Sequence, residues 1–450
     1  MAASAPHFKD IRIPVASAYW LLRARVPSSL LDAPPAGAPT DREESSLVDL
    51  LIDEGRIAAI QTAGAVAGAS RGGTPVVDLG GRQVWPRLID MHVHLDKAFV
   101  IPRSMPDGSW TCGRVNTVRD RVNWNYDDLR RRMSFGLRCA YAHGVGAIRT
   151  HLDSYEDMHG TGWKVFRELR DEWAGRIAVQ AVSLVAIDTF RTDYGVRLAD
   201  LVAKSGGVLG AATRATSSDH VGTLADMDDL LDTMLRLAAE RDLDVDLHVD
   251  ESPDLTAFAL PRVAAAAIRN RFKGTVVCGH CVNLSLQPDE VARETIALCA
   301  DSGIAVVTLP TPMMYLQDRA PGRTPRWRGV TMLHELRAAG VPVAVGGDNV
   351  RDMWYAYGDY DIVDTFQQAV RVLQLDHPFY PDVVGPIPAR IIREKSAGLV
   401  KVGAPAGLIL FNARTIDELV SRPQADRIVI DRGVRVQDEL PDYAELEYTD

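Results

Sequence analysis

The chain has 450 residues, more than the roughly 100–200 of a typical domain, so one large domain with a smaller companion is expected. Its 46% hydrophobic and 24% charged residues suit a globular enzyme, and five cysteines in such a length build no disulfide framework. The formal charge of −10 argues against nucleic acid or an anionic membrane as the main partner.

No basic segment followed by an apolar one opens the chain, and no apolar run approaches the roughly 20 residues of a membrane helix. A cytoplasmic protein with a small-molecule partner is expected, and a homo-oligomer is left open. Residues 1–85 read as short β segments with turns: a hairpin over 45–60, an extended piece over 73–84, and an Ala/Gly/Ser-rich loop over 62–72. From about residue 400 the pattern returns, with GLILFNA and then ADRIVIDRGVRV. Between these ends lie eight apolar strand candidates: 89–94, 147–151, 178–185, 207–212, 244–249, 274–280, 304–309 and 341–346. Helical periodicity separates most of them. It is clearest over 224–241, where Leu224, Met227, Leu231, Met234, Leu235 and Ala238 share one face, and again over 127–143. Alternating β and α implies a parallel sheet. Eight repeats predict a (β/α)8 TIM-like barrel over 86–399, with a small β-sandwich domain built from 1–85 and 400–450. The rival is a doubly wound open sheet, but no Gly-rich dinucleotide loop follows the first strand.

The strand ends carry the chemistry. The first ends in Asp90-Met-His92-Val-His94, and residues two apart on a strand face the same way, so both histidines can reach one metal. The fifth ends in His248-Val-Asp-Glu251, the sixth in Cys278-Gly-His280-Cys281, the eighth in Gly347-Asp348-Asn349. A catalytic metal takes three or four N/O ligands and keeps a position open, and His92, His94, His248 and Asp348 would supply that set. One such histidine alone reads as a satisfied core residue; four at matching strand ends do not. Cys278 and Cys281 resemble a redox dithiol, but they follow a strand deep in the α/β pattern, where packing beside His280 is the simpler role. His151 and Asp153, ending the second strand, read equally as groups orienting the site or as polar strand ends.

Taken in order, these motifs resemble the amidohydrolase superfamily and its cytosine deaminase branch, with similarity also to N-isopropylammelide aminohydrolases. The carrying segments are WPRLIDMHVHLD (85–96), RTHLD (149–153), LHVDE (247–251), Gly279-His280 and GDNVRDMW (347–354). The resemblance implies one divalent metal, zinc or iron, held by His92, His94, His248 and Asp348. It implies Glu251 as acid and base on a ring nitrogen, His280 holding the attacking water, and Trp354 near the ring. Binuclear relatives carry a lysine ending strand four; here 208–218 has none, which favours a single metal. Pro86-Arg87 stands where Pro-Gly is common. The implied activity is hydrolytic removal of an amino group from a small nitrogen heterocycle. Cyclic amide hydrolysis and a catalytically inactive ligand-binding relative are the alternatives. Where cytosine deaminases read the pyrimidine amide edge with a glutamine, alignment places Ala186, with Asp188 nearby. Arg214 adds a cation after strand four, and Asn349 replaces an acid. Together these imply an oxo-rich or anionic ring rather than cytosine.

Overall fold

Parallel strands covered on both faces need long apolar runs, and the runs read above become strands of that kind. The computed structural model describes residues 6–65, 73–216, 218, 221–376, 378–437 and 439–447. Residues 66–72 of the Ala/Gly/Ser-rich loop lie outside them. The strands that carry the site are β1 (Leu88–Val93), β2 (Val145–Asp153), β3 (Ala178–Leu184), β4 (Leu209–Ala212), β5 (Val245–Val249), β6 (Val276–His280), β7 (Ala305–Thr308) and β8 (Val343–Val345). Every residue of β1, β2, β5 and β6 is buried.

β4 to β8 form one parallel sheet in chain order, and β1, β2 and β3 a second. Isolated parallel bridges, Val182 to Val208 and Ala186 to Ala212, link the β3 and β4 ends. Val93 bridges to Asp348 just past β8, where the Asp348 N–H donates to the His92 carbonyl at 2.7 Å. Amphipathic helices intervene. The one expected over 224–241 runs Met227–Ala239 and buries Met227, Leu231, Met234, Leu235 and Ala238; Leu224 precedes it. No helix among the described residues is long and apolar enough to cross a membrane.

The chain divides into two compact units. One comprises Asp90–Cys139, Ile148–Asp361 and Pro441–Asp450, and it holds the site described below. The other comprises Met1–Ile89, Ala140–Ala147 and Ile362–Leu440. In it Arg56–Thr62, Ser45–Asp53, Ala18–Pro27 and Val76–Asp78 make one four-stranded sheet. Val84–Pro86 pairs antiparallel with Leu408–Leu410 in another, so early and late residues share a sheet. Trp85 packs edge-on against Phe366 and Phe411 at 5.4 and 5.5 Å. Arg87, unusual after that proline, is buried. Its guanidinium pairs with Asp431 at 3.0 Å, covers the Tyr141 ring and donates to the Val145 carbonyl. The arginine thus locks its turn through side-chain contacts that a glycine lacks.

Candidate metal centre and active site

His92 and His94 leave β1 on one face, His248 ends β5, and Asp348 follows β8. Their ligating atoms converge. His92 Nε2 lies 3.2 Å from His248 Nε2, and His248 Nε2 lies 3.3 Å from His94 Nε2. Asp348 Oδ1 is 3.1 Å from His94 Nε2 and 3.8 Å from His92 Nε2. His94 Nδ1 faces the His151 carbonyl at 3.3 Å, and donating there leaves a lone pair on Nε2. Lone pairs of three imidazoles and a carboxylate then point at one another, an arrangement that a shared cation relieves. Nitrogen atoms about 2.0–2.1 Å from a tetrahedral zinc stand about 3.3 Å apart, which these separations match.

Other observations fit the same group. Both Asp348 oxygens are buried without a hydrogen bond. Burial, reinforced by the neighbouring histidines, holds His92 and His248 well below the ordinary histidine range, in the neutral form that ligates. His92 also sits in a cradle of glycines. A Cβ at Gly279 would come within 2.9 Å of its ring, and one at Gly346 within 3.1 Å of its own Cβ. Three residues of the site hold left-handed backbone: His280, Cys281 and Asp348 have φ of 69°, 52° and 64°. Such conformations cost on the order of 1–3 kcal/mol each and persist only where surroundings impose them. The Thr331 hydroxyl donates to the His280 carbonyl at 2.6 Å, and Tyr360 to that of His94 at 3.1 Å.

Glu251 completes the reactive set. It is 7% exposed, and its Oε2 lies 3.7 Å from His280 Nε2. Asp250, beside it, turns away and accepts from the N–H groups of Ala259 and Leu260, fixing the loop that presents Glu251. His94, His248, Glu251, His280, Asp348, Asn349, Arg214 and Trp354 line one cavity of about 40 Å³. Lys97, Trp110, Leu184, Met313 and Leu316 complete its wall. Ligand pockets measure about 300–1,000 Å³, so the cavity as it stands is smaller than a typical ligand pocket. Trp354 meets Trp110 edge-on at 5.4 Å, and Gly113 gives it room: a Cβ there would be 2.6 Å from the indole.

Ala186 is not brought to the cavity. It is fully buried in its bridge to Ala212, and Leu184 lines the wall instead. Asp188 is engaged elsewhere, accepting from the Thr216 N–H and hydroxyl. Asn349 donates to Asp352 at 2.7 Å. Lys97 escaped the sequence reading, although it lies three residues beyond His94; it pairs with Asp153 at 2.9 Å. Asp153 also binds Arg121. Asp153 is therefore an ion-pair hub beside the site. His151 stacks on His92 at 3.9 Å and groups with His92 and His248 as a set able to hold a metal. Cys278 and Cys281 are free, fully buried thiols, and burial raises the Cys281 pKa, so neither has the exposed thiolate of a redox pair.

A histidine–carboxylate cluster at the ends of parallel strands, with a second carboxylate poised beside it, defines a metal-dependent hydrolase. The model of the amidohydrolase family matches residues 127–436, and the chain belongs to that family. Among individual proteins it is 46% identical over 405 residues to the pterin deaminase of Rhizobium rhizogenes (strain K84), covering 89% of this chain and 90% of that one. It is 25% identical over 375 residues to N-isopropylammelide isopropyl amidohydrolase of Pseudomonas sp. (strain ADP), covering 80% and 87%. The structure of 5-methylcytosine deaminase from Klebsiella pneumoniae shares the fold. Its TM-score is 0.76 at 22% identity, over 94% of this chain and 98% of that one.

Proposed function

We propose that this protein is an aminohydrolase that replaces the exocyclic amino group of a pterin-like ring with water-derived oxygen. The observation that carries this reading is that His94, His248, Asp348, Glu251 and His280 line one cavity, with His92 Nε2 3.2 Å from His248 Nε2 behind it. The 46% identical pterin deaminase supports the substrate class. We read the two sets of strand bridges as closing β1–β8 into a (β/α)8 barrel. Chain ends 1–85 and 400–450 then supply a small β-sandwich. We also propose a cytoplasmic location.

His92, His94, His248 and Asp348 would hold a single divalent ion, zinc or iron. When bound, such an ion lowers the pKa of water towards about 7. Asp348 accepts the proton of the attacking water. Glu251, in its acid form, delivers a proton to the ring nitrogen as the neighbouring carbon is attacked, while His280, 3.7 Å from Glu251, holds the water in line. The proton taken up by Asp348 passes to the exocyclic amine, the C–N bond breaks to release ammonia, and Glu251 takes the hydroxyl proton as the C=O bond forms. The wall of Trp110, Trp354, Leu184 and Leu316 excludes bulk water.

The test is ammonia release by metal-loaded protein from pterin, cytosine and an ammelide, with a dihydropyrimidine included to detect ring opening. Ammonia from pterin, and little from cytosine, is expected. Ring opening without ammonia from any amino-heterocycle would overturn the proposal.

A further inference from the structure

We infer that Arg214 is a specificity-determining residue that binds a carboxylate carried by the substrate, a deepening that rests on the aminohydrolase reading above. Arg214 is half-buried and lines the same cavity as Glu251 and Asp348. Among the described residues its guanidinium has no carboxylate partner; it donates to the adjacent Ala215 carbonyl at 3.1 Å. A guanidinium carries five donors in a planar fork shaped for a carboxylate, and this one keeps most of them for a ligand.

The other cation in the cavity wall is different. Lys97 is buried against Asp153 at 2.9 Å, so its charge already has a partner. Asp188, which bonds to this loop, spends both oxygens on Thr216. These bonds also fix the loop at one end. At the other, the Thr213 N–H donates to the carbonyl of His248 at 2.9 Å, tying the loop to a strand that supplies a metal-site histidine. Arg214 is therefore held in place between two anchors, and little entropy is lost when it engages a ligand. A neutral amino-heterocycle would leave this guanidinium unmatched inside a cavity that already holds two carboxylates. A ring bearing its own carboxylate satisfies it with two parallel N–H···O bonds.

The experiment compares pterin with a pterin carrying a ring carboxylate, on the metal-loaded full chain and its Arg214→Gln and Arg214→Lys variants. Steady-state ammonia release and direct binding titrations are both recorded. The unsubstituted protein should favour the carboxylated ring through KM. Arg214→Gln should raise that KM by about 10–100-fold, collapse the preference between the two rings, and leave kcat for the carboxylated ring within a few-fold. Arg214→Lys should restore part of the preference. Equal losses on both rings, or a preference that survives in Arg214→Gln, would overturn the inference. Should neither pterin release ammonia, the aminohydrolase reading for pterins falls. The titration then decides Arg214 separately: affinity for the carboxylated ring unchanged in Arg214→Gln refutes it.

Discussion

Gly279→Ala is a one-carbon change that tests the metal centre without touching a ligand. The added Cβ would stand 2.9 Å from His92 Cε1, 3.1 Å from His92 Nδ1 and 3.4 Å from the Leu247 carbonyl oxygen. Ordinary carbon contacts are about 3.5–4.0 Å, so the imidazole must move by roughly half an ångström. His92 has nowhere to retreat, because Gly346 and the stacked His151 ring close its other sides. Overpacking of this kind costs about 1–3 kcal/mol. If the displacement falls on the 3.2 Å approach of His92 to His248, metal affinity drops by about 5- to 150-fold. Backbone entropy pushes the other way, since alanine in a strand is favoured over glycine by roughly 0.5–1 kcal/mol. The sign is therefore informative. Metal retained after dialysis against graded chelator, together with thermal melting of metal-free and loaded forms, measures the effect. Pairing Gly279→Ala with His92→Ala should remove most of the cost, because the clashing ring is gone. Metal affinity unchanged in the single variant would show that His92 does not help hold the ion.

Three further outcomes follow from the same geometry. His248→Ala should lose most of its metal on purification, read by elemental analysis; full retention refutes its place among the ligands. Glu251→Gln should keep the metal and lose about 10²–10⁴ in turnover, and near-normal ammonia release would move the proton donor elsewhere. Asp153→Asn should destabilise the fold by about 3–5 kcal/mol at neutral pH, since it leaves Lys97 and Arg121 unpaired. Its partners hold the Asp153 pKa well below the usual value against the opposing effect of burial. The stability it gives is therefore present above about pH 4 and lost as pH falls further. The variant's denaturant midpoint should approach that of the parent protein in acid, and a constant gap across pH would contradict this account.

The sequence made the strands legible because each parallel strand buries both faces and so writes itself as an apolar run. All eight observed strands lie within two residues of the expected limits at both ends, as with β6, read as 274–280 and found as Val276–His280. β2, read as ending at 151, runs to Asp153. The convergence of His92, His94, His248 and Asp348 was legible for the same reason: strand ends are where polar residues interrupt an apolar run. What failed was orientation beyond a strand's end. Ala186 lies past β3, where the chain turns into a short helical segment, Ile187–Arg191, and strict alternation no longer says which side chain faces the cavity. Leu184 does. Trp110, Met313 and Leu316 reach the cavity from helices that carry no strand-end signature. The partners of Asp188 and Lys97 likewise depend on tertiary placement, which periodicity does not encode.

The bond between the Asp348 N–H and the His92 carbonyl also bears on the order of events during synthesis. The two residues are separated by roughly 250 positions, which a ribosome takes tens of seconds to traverse at about 5–20 residues per second. His92 and His94 emerge early and wait, and His248 joins them midway. The last donor arrives only with the segment after β8, the same segment that bonds back to β1. On the proposed ligand set, a nascent chain shorter than this would lack one of the four donors. The proposed site would then be completed only when the segment after β8 bonds back to the strand that carries His92 and His94.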